Sequence, residues 1–255
     1  MAVHPFDAVI ALAGQPGPED LFASLLLSRA RRIISADGGA DRAARLGFVS
    51  DYIVGDFDSI ADGDARATAA SAKHFRFPRD KDHTDGELAL AAAVLLSSGK
   101  HVPDDEYELY RQFDAIGDLR GMSLLFLNYF GSRHDHTLAN MALALLSSRR
   151  GADVFLTDGT TLGRLVTGPA CLRPVFPSDC FVRAGERAFL FSVLPLDDRV
   201  DGLTLRGLRW ELDNARLPLT RALALSNRAP AGYPDCASLA LERGTVALFT
   251  FPEDL

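Results

Sequence analysis

The sequence predicts an α/β protein: an N-terminal, mostly parallel, doubly wound sheet with helices on both faces, followed by a C-terminal antiparallel β-sandwich domain. Three observations carry this. Up to about residue 160 short apolar runs alternate with longer stretches of helical period, as parallel strands require, because each pair needs a crossover that is usually a helix. From about Leu162 onward the long helical stripes vanish, and short runs are separated by Gly, Pro, Asn and Asp, as in an antiparallel sheet with turns. With 255 residues and 47% hydrophobic content, the chain has enough material for two modest domains.

Taken in order, "FDAVIALA" reads as a strand, "PEDLFASLLLSRA" as a helix, "RRIISA" as a strand, "ADRAARLG" as a helix and "YIVGD" as a strand. "HFRFP", a helix over 84–97, "SLLFLNY", a helix over 137–150 and "DVFLTD" continue the alternation. The grammar changes within "TDGTTLGRLVTGPA", so the expected domains are 1–160 and 161–255. "RAFLFSVLP", "LTLRGLRWEL", "RALALSN" and "GTVALFTF" are strands of the second. Between Gly99 and Met122 lies a polar, acidic segment with one possible helical turn around Glu106 to Phe113. It reads as an insertion of about 100–122, solvated at the sheet's edge or surface.

A formal charge of −7 argues against general nucleic-acid affinity, since no excess of Lys and Arg is available to replace phosphate counterions. No uncharged apolar run approaches the roughly 18–20 residues of a membrane span, and no leader-like segment opens the chain, so a soluble cytoplasmic protein is expected. Cys171, Cys180 and Cys236 are scattered, without a CxxC pair, and read as ordinary reduced thiols.

In open α/β sheets ligands bind beyond the carboxyl ends of the strands, and four such ends carry chemistry. After "RRIISA" comes "DGGAD", where Asp37, Gly38 and Gly39 open a helix; glycines admit a ligand to the backbone, and free N–H groups suit phosphate. After "DYIV" comes "GDFDSI", whose Asp56 and Asp58 are either a metal site or a turn in which Asp58 or Ser59 caps the next helix. "RDKDHTDGELAL" follows the next strand: Thr84 and Glu87 have the form of a capping box, and Asp80, Lys81, Asp82 and Asp85 exceed what capping needs. "FGSRHDHTLAN" crowds Arg133, His134, Asp135 and His136 at another helix start, with Asp135 or Thr137 as the alternative, a plain N-cap. Four such ends converging on one crevice suit Mg²⁺ and a polyphosphate, and so a phosphoryl or pyrophosphoryl transfer.

The ordered set "ISADGGADRAARLGFVSDYIVGDFDSI", "RDKDHTDGELAL", "GSRHDHTLANMALAL", "FSVLPL", "GLRWEL" and "LALSN" resembles the thiamine pyrophosphokinase family, particularly its bacterial members. The resemblance covers nearly the whole chain apart from the insertion. It implies a homodimer with an active site at the subunit interface, ATP and Mg²⁺, and attack of the thiamine hydroxyl on the β-phosphorus of ATP to give thiamine diphosphate and AMP. It further implies that Asp56 and Asp58, with Asp82 or Asp85, are the Mg²⁺ and phosphate-site carboxylates. Asp37, Gly38, Gly39, Thr84, Arg133 and His136 fall on the nucleotide side. Lys81 and Arg133 would offset charge on the transferring group, and Asp135 would orient the alcohol or take its proton. Trp210, Ser226 and Asn227 match positions near thiamine, where an indole face suits a thiazolium; the alternative for Trp210 is a packed core residue. Asp41, Ser132 and His134 stand where the family usually has Asn, Gly and an apolar residue, and these departures bear on how ATP and the substrate are held.

Two rival readings remain at this level. "YIVGDFDSI" also has the form of a haloacid dehalogenase-like phosphatase strand, with one Asp as nucleophile and the next as general acid, although it follows two complete β-α units. A non-catalytic relative that binds nucleotide or thiamine compounds for regulation is the other.

Overall fold

A computed structural model describes residues 6–56, 71–183, 185, 187–229 and 237–254. Six strands are parallel: β1 (Ala8–Ala11), β2 (Ile33–Ala36), β3 (Tyr52–Gly55), β4 (Lys73–Arg76), β5 (Ser123–Leu127) and β6 (Asp153–Thr157), in the order β4-β3-β2-β1-β5-β6. The central ones lack polar alternation because both faces are covered. Ala8 and Ile10 of β1 point into one core while Val9 and Ala11 point into another.

Among the described residues the α-helices are α1 (Ala23–Leu27), α2 (Gly39–Arg45), α3 (Asp85–Ser97), α4 (Glu106–Ile116) and α5 (His134–Arg149). α1 and α2 cover one face of the sheet, and α3 and α5 the other, which makes it doubly wound as expected. The predicted capping box starts α3: the Thr84 side chain accepts from Glu87 N–H, and Glu87 Oε2 accepts from Thr84 N–H at 2.7 Å. α5 begins three residues before the expected 137, with Arg133 at its N-cap instead of Asp135 or Thr137.

The insertion is not a solvated loop. α3 carries the run "LALAAAVL", residues 88–95, all fully buried, and a helix apolar all round needs cover on its outer side. α4 supplies it: Leu109 and Phe113 are fully buried in the same core, each stabilising the packing by roughly 1.5–3 kcal/mol. Arg150, just beyond α5, ties the far end of α4 through Asp114 at 2.8 Å and lies over the Phe113 ring at 4.6 Å.

Beyond β6 the strands are antiparallel: β7 (Leu162–Thr167), β8 (Ala170–Leu172), β9 (Phe189–Pro195), β10 (Arg199–Arg206), β11 (Leu212–Pro218), β12 (Ala224–Arg228), β13 (Ser238–Leu241) and β14 (Thr245–Pro252). β7 pairs directly with β6, so one ten-stranded sheet runs across both halves and ends β7-β14-β9-β12. A four-stranded sheet, β11-β10-β13-β8, packs on that extension, with Leu203, Leu205 and Leu239 meeting Phe189, Phe191 and Val246. The expected sandwich is therefore present, and one of its layers is the continuation of the α/β sheet. Cys171 and Cys180 are free thiols; burial pushes the Cys180 thiol up to about 12, and Cys236 lies outside the described residues. No helix among the described residues is long and apolar enough to cross a membrane.

Candidate active site

In the parallel sheet β2 flanks β1 on one side and β5 on the other, so the strand order reverses between β1 and β5. That switch point is where an open α/β sheet offers a crevice. The loops after β1 and β5 lie against each other there: Gly14 N–H donates to Asn128 O at 3.1 Å, and Gln15 N–H to Phe130 O at 2.8 Å. A Cβ on Gly14 would stand 2.0 Å from Asn128 O, which leaves glycine as the residue that permits this approach. A cavity of about 390 Å³ opens beside these loops, with Asp37, Arg42, Thr84, Asp85, Arg133 and His136 among its walls.

Two strand ends bring carboxylates to it, and Gly55 at the end of a third lies between them. Asp37 follows β2 with φ of 43°, is nearly buried, and its N–H donates to Val54 O at 2.9 Å. Gly55 ends β3 at φ of 152°; a Cβ there would lie 3.1 Å from Asp37 Cβ and 3.2 Å from Asp85 Oδ1. The bare backbone of Gly55 thus lets Asp37 and the first residue of α3 meet. Burial raises the Asp85 carboxyl above the usual carboxylate range, Asp37 and Asp56 add to the rise, and Lys81 opposes it. Lys81 Nζ lies 3.1 Å from Asp85 Oδ1 and donates to Pro78 O at 3.0 Å, and its side chain is only 7% exposed. Gly39 is equally constrained, since a Cβ on it would stand 2.0 Å from Ala11 O, so the start of α2 rests on the end of β1.

Other predicted residues stand elsewhere. Asp82 is exposed, accepts the Tyr107 hydroxyl at 2.6 Å, and is not among the walls of the crevice. Arg133 and Asp135 form a two-pronged ion pair at the rim, at 3.0 and 2.7 Å, and both are exposed. The Arg133 guanidinium holds the Asp135 carboxyl well below the usual range. Asp41 sits half-buried in the first turn of α2, while Ser132 and His134 are exposed beside Arg133. Asp58 lies outside the described residues, as does Ser59.

Trp210, Ser226 and Asn227 gather in a second cavity of about 340 Å³, walled also by Leu212, Leu223 and Leu225. Trp210 is not a core residue: it is 53% exposed, with Arg209 at 4.9 Å over its ring. Buried Asn227 fastens it, since Asn227 Oδ1 accepts from Trp210 N–H at 3.0 Å and from Arg228 N–H at 2.9 Å, and Nδ2 donates to Trp210 O at 2.6 Å. Ser226 adopts φ of 53° and its N–H donates to Ser192 Oγ at 3.1 Å. The two cavities share no wall residue.

Sequence reasoning passed over Arg42, Gln15 and Asn140, all walls of the first cavity. For Asn140 a signal existed: Arg133, His136, Thr137 and Asn140 are spaced 0, 3, 4 and 7, one face of a helix. Arg42 likewise stands one turn after Gly38.

A family model described as thiamin pyrophosphokinase, catalytic domain, matches residues 23–156, more than half of the chain, and one described as the vitamin B1 binding domain matches residues 185–232. The second match contains the Trp210 cavity. Thiamine pyrophosphokinase of Bacillus subtilis is 26% identical over 196 residues, 76% of each chain, and thiamine pyrophosphokinase 1 of Oryza sativa is 25% identical over 236 residues, 81% of this chain and 75% of that one. In fold, thiamin pyrophosphokinase from Candida albicans superposes with a TM-score of 0.71 at 17% identity, covering 98% of this chain and 90% of that one. The Bacillus subtilis enzyme superposes at 0.65 and 20% identity, covering 96% and 99%. The chain belongs to the thiamine pyrophosphokinase family.

Proposed function

We propose that the crevice at the β1/β5 switch point holds the polyphosphate of ATP and that the Trp210 cavity holds thiamine. The reaction follows from the family: the thiamine hydroxyl attacks the β-phosphorus of ATP, the bond from that phosphorus to the α-phosphate bridging oxygen breaks, and thiamine diphosphate and AMP result. The observation that carries the site reading is the closeness of Asp37 and Asp85, both walls of the crevice, across the bare backbone of Gly55, with Lys81 paired to Asp85. Paired charges of both signs, mostly buried, are suited to a charged group and its counterion.

The donor set fits Mg²⁺, a hard cation that takes oxygen ligands and keeps near-octahedral geometry. Asp37 and Asp56 both lie close enough to Asp85 for their charges to raise its carboxyl. Among the described residues no three such side chains are grouped to hold a metal ion by themselves. In this reading Asp56, Asp58 and Asp85 are the carboxylates that would hold it, and Asp85 takes the place left open between itself and Asp82. When bound, the ion offsets charge on the phosphate oxygens. Lys81 and Arg133 do the same from the protein side, and Arg42 joins them. Asp135, with its carboxyl held far down by Arg133, is a poor proton acceptor at neutral pH and serves to orient Arg133 and the alcohol.

Because the two cavities are separate, the reading includes a homodimer in which the crevice of one subunit faces the Trp210 cavity of the other. Free Cys171 and Cys180 suit a reducing cytoplasm. Complementation tests both parts. Asp85→Asn protein mixed with Trp210→Ala protein, assayed for AMP release at low thiamine, should exceed the sum of the two alone, since the hybrid has one intact site. Activity equal to that sum would defeat the shared site, and thiamine-dependent release of orthophosphate without AMP would defeat the reaction.

A further inference from the structure

We infer that the insertion helix α4 is a positioning device for the phosphate-site lysine, a role that rests on the reading of Lys81 above. The segment 77–84 joins β4 to α3, and Lys81 and the two residues that follow it face different partners. Lys81 turns inward to Asp85. Asp82 and His83 turn outward and are both taken up by the first turns of α4. Tyr107 donates its hydroxyl to Asp82 at 2.6 Å. Glu106, a nearly buried carboxylate, lies 2.9 Å from His83 Nδ1 and accepts the His83 backbone N–H at 3.3 Å with the same oxygen. Tyr110 stacks on the imidazole with ring centroids 4.3 Å apart and planes 29° from parallel.

Three side chains on one helix therefore grip two adjacent loop residues, and none of the three is a wall of the crevice. The grip is rigid at its base. α4 is fastened by buried Leu109 and Phe113 and by the bond from Arg150 to Asp114, and its N-cap Asp105 accepts from Glu108 N–H at 2.9 Å. Position and orientation of a charged group are what a pyrophosphoryl transfer needs from its protein, and a displacement of about 1 Å can cost about a hundredfold in rate. An outer helix that fixes residues 82 and 83 fixes the backbone from which Lys81 departs.

A double-mutant cycle separates this role from a general structural one, because residues that act through a common partner are not additive. Glu106→Ala should lower kcat by about tenfold with the KM for thiamine unchanged, Glu106→Gln, which keeps an acceptor oxygen for His83, should recover most of the loss, and in a Lys81→Ala background Glu106→Ala should lower kcat by less than about twofold. Tyr107→Phe removes one exposed hydroxyl and leaves the core intact, so it repeats the cycle if Glu106→Ala fails to fold; its expected loss is about threefold, again muted when Lys81 is absent. Equal factors in both backgrounds, or no loss of kcat, would overturn the inference alone. An unchanged kcat in Lys81→Ala itself would defeat the assignment of Lys81 and the inference with it.

Discussion

The crevice at the strand ends and the cavity beside Trp210 are built in opposite ways. In the first, backbone approaches at Gly14, Gly39 and Gly55 leave no room for side chains, and Asp85 is held close to Asp37 at the expense of its ionisation. In the second, a half-exposed indole and three leucines stand at the end of the long sheet, and one buried amide, Asn227, supplies the order. The contrast teaches that charge is placed by the buried backbone of the parallel sheet, whereas apolar recognition is presented on an edge that a second surface can complete.

The largest effect should come from Asp85→Asn, which removes the charge from the most crowded point of the crevice. We expect kcat to fall by about a thousandfold or more, in line with losses of preorganised electrostatic groups. Stability should move the other way. Burial raises this carboxyl, so the folded state favours its neutral form; that preference is fully satisfied below the ordinary Asp range and is lost as pH rises through the raised value. At neutral pH the Asn protein should therefore melt about 1–3 °C above wild type, and the gap should close as the pH is lowered. A lower melting temperature at neutral pH would show that Lys81 needs Asp85 more than burial penalises it.

Gly55→Ala sharpens the same contrast from the backbone side. A Cβ at φ of 152° costs on the order of 1–3 kcal/mol in strain, and it would press on Asp37 and Asp85 at 3.1 and 3.2 Å. Both melting temperature and kcat should drop, the latter by about a hundredfold. Loss of stability with normal kcat would mean that the carboxylates need no such closeness.

Trp210→Ala tests the other cavity. The side chain is half-exposed, so melting should change little, while the KM for thiamine should rise by about tenfold, as expected for a lost cation–π contact and its apolar area. The KM for ATP should stay constant. A joint rise in both constants would place nucleotide and thiamine in one cavity and undo the comparison.

How much of this was legible follows from which interactions are local. The parallel strands and the capping box at Thr84 depend on runs of a few residues, and both are legible in the sequence. The pairing of β7 with β6, which carries the large sheet into the C-terminal half, is a choice of edge that no local pattern specifies. α4 reads only as a possible turn around Glu106 to Phe113 on a solvated insertion because its own sequence is polar and acidic; the signal for its packing lies in α3, whose unbroken apolar run around residues 88–95 calls for a covering element. The engagement of Asp82 away from the crevice is hidden for the same reason, since its partner Tyr107 belongs to that helix, whose packing no local pattern shows. Arg42 and Asn140 were readable in principle from helical spacing once the neighbouring motif was in hand.

The smallest effect is expected at Thr84, which borders the crevice yet spends its hydroxyl on its own helix. Its Oγ1 accepts from Glu87 N–H at 3.2 Å and donates to Glu87 Oε2 at 2.9 Å, so the group is already committed in both directions. Thr84→Ala should cost about 1 kcal/mol, a fall of roughly 2–4 °C in melting temperature, through loss of the cap. Thr84→Ser should restore it. If the hydroxyl does nothing else, the KM for ATP will shift by less than about twofold in both variants, since a capped α3 start can fray without moving the sheet ends that hold Asp37 and Gly55. A larger shift in Thr84→Ala, absent in Thr84→Ser, would mean that the hydroxyl leaves Glu87 for the nucleotide, and would make the helix start, like the glycine turns, a working part of the crevice.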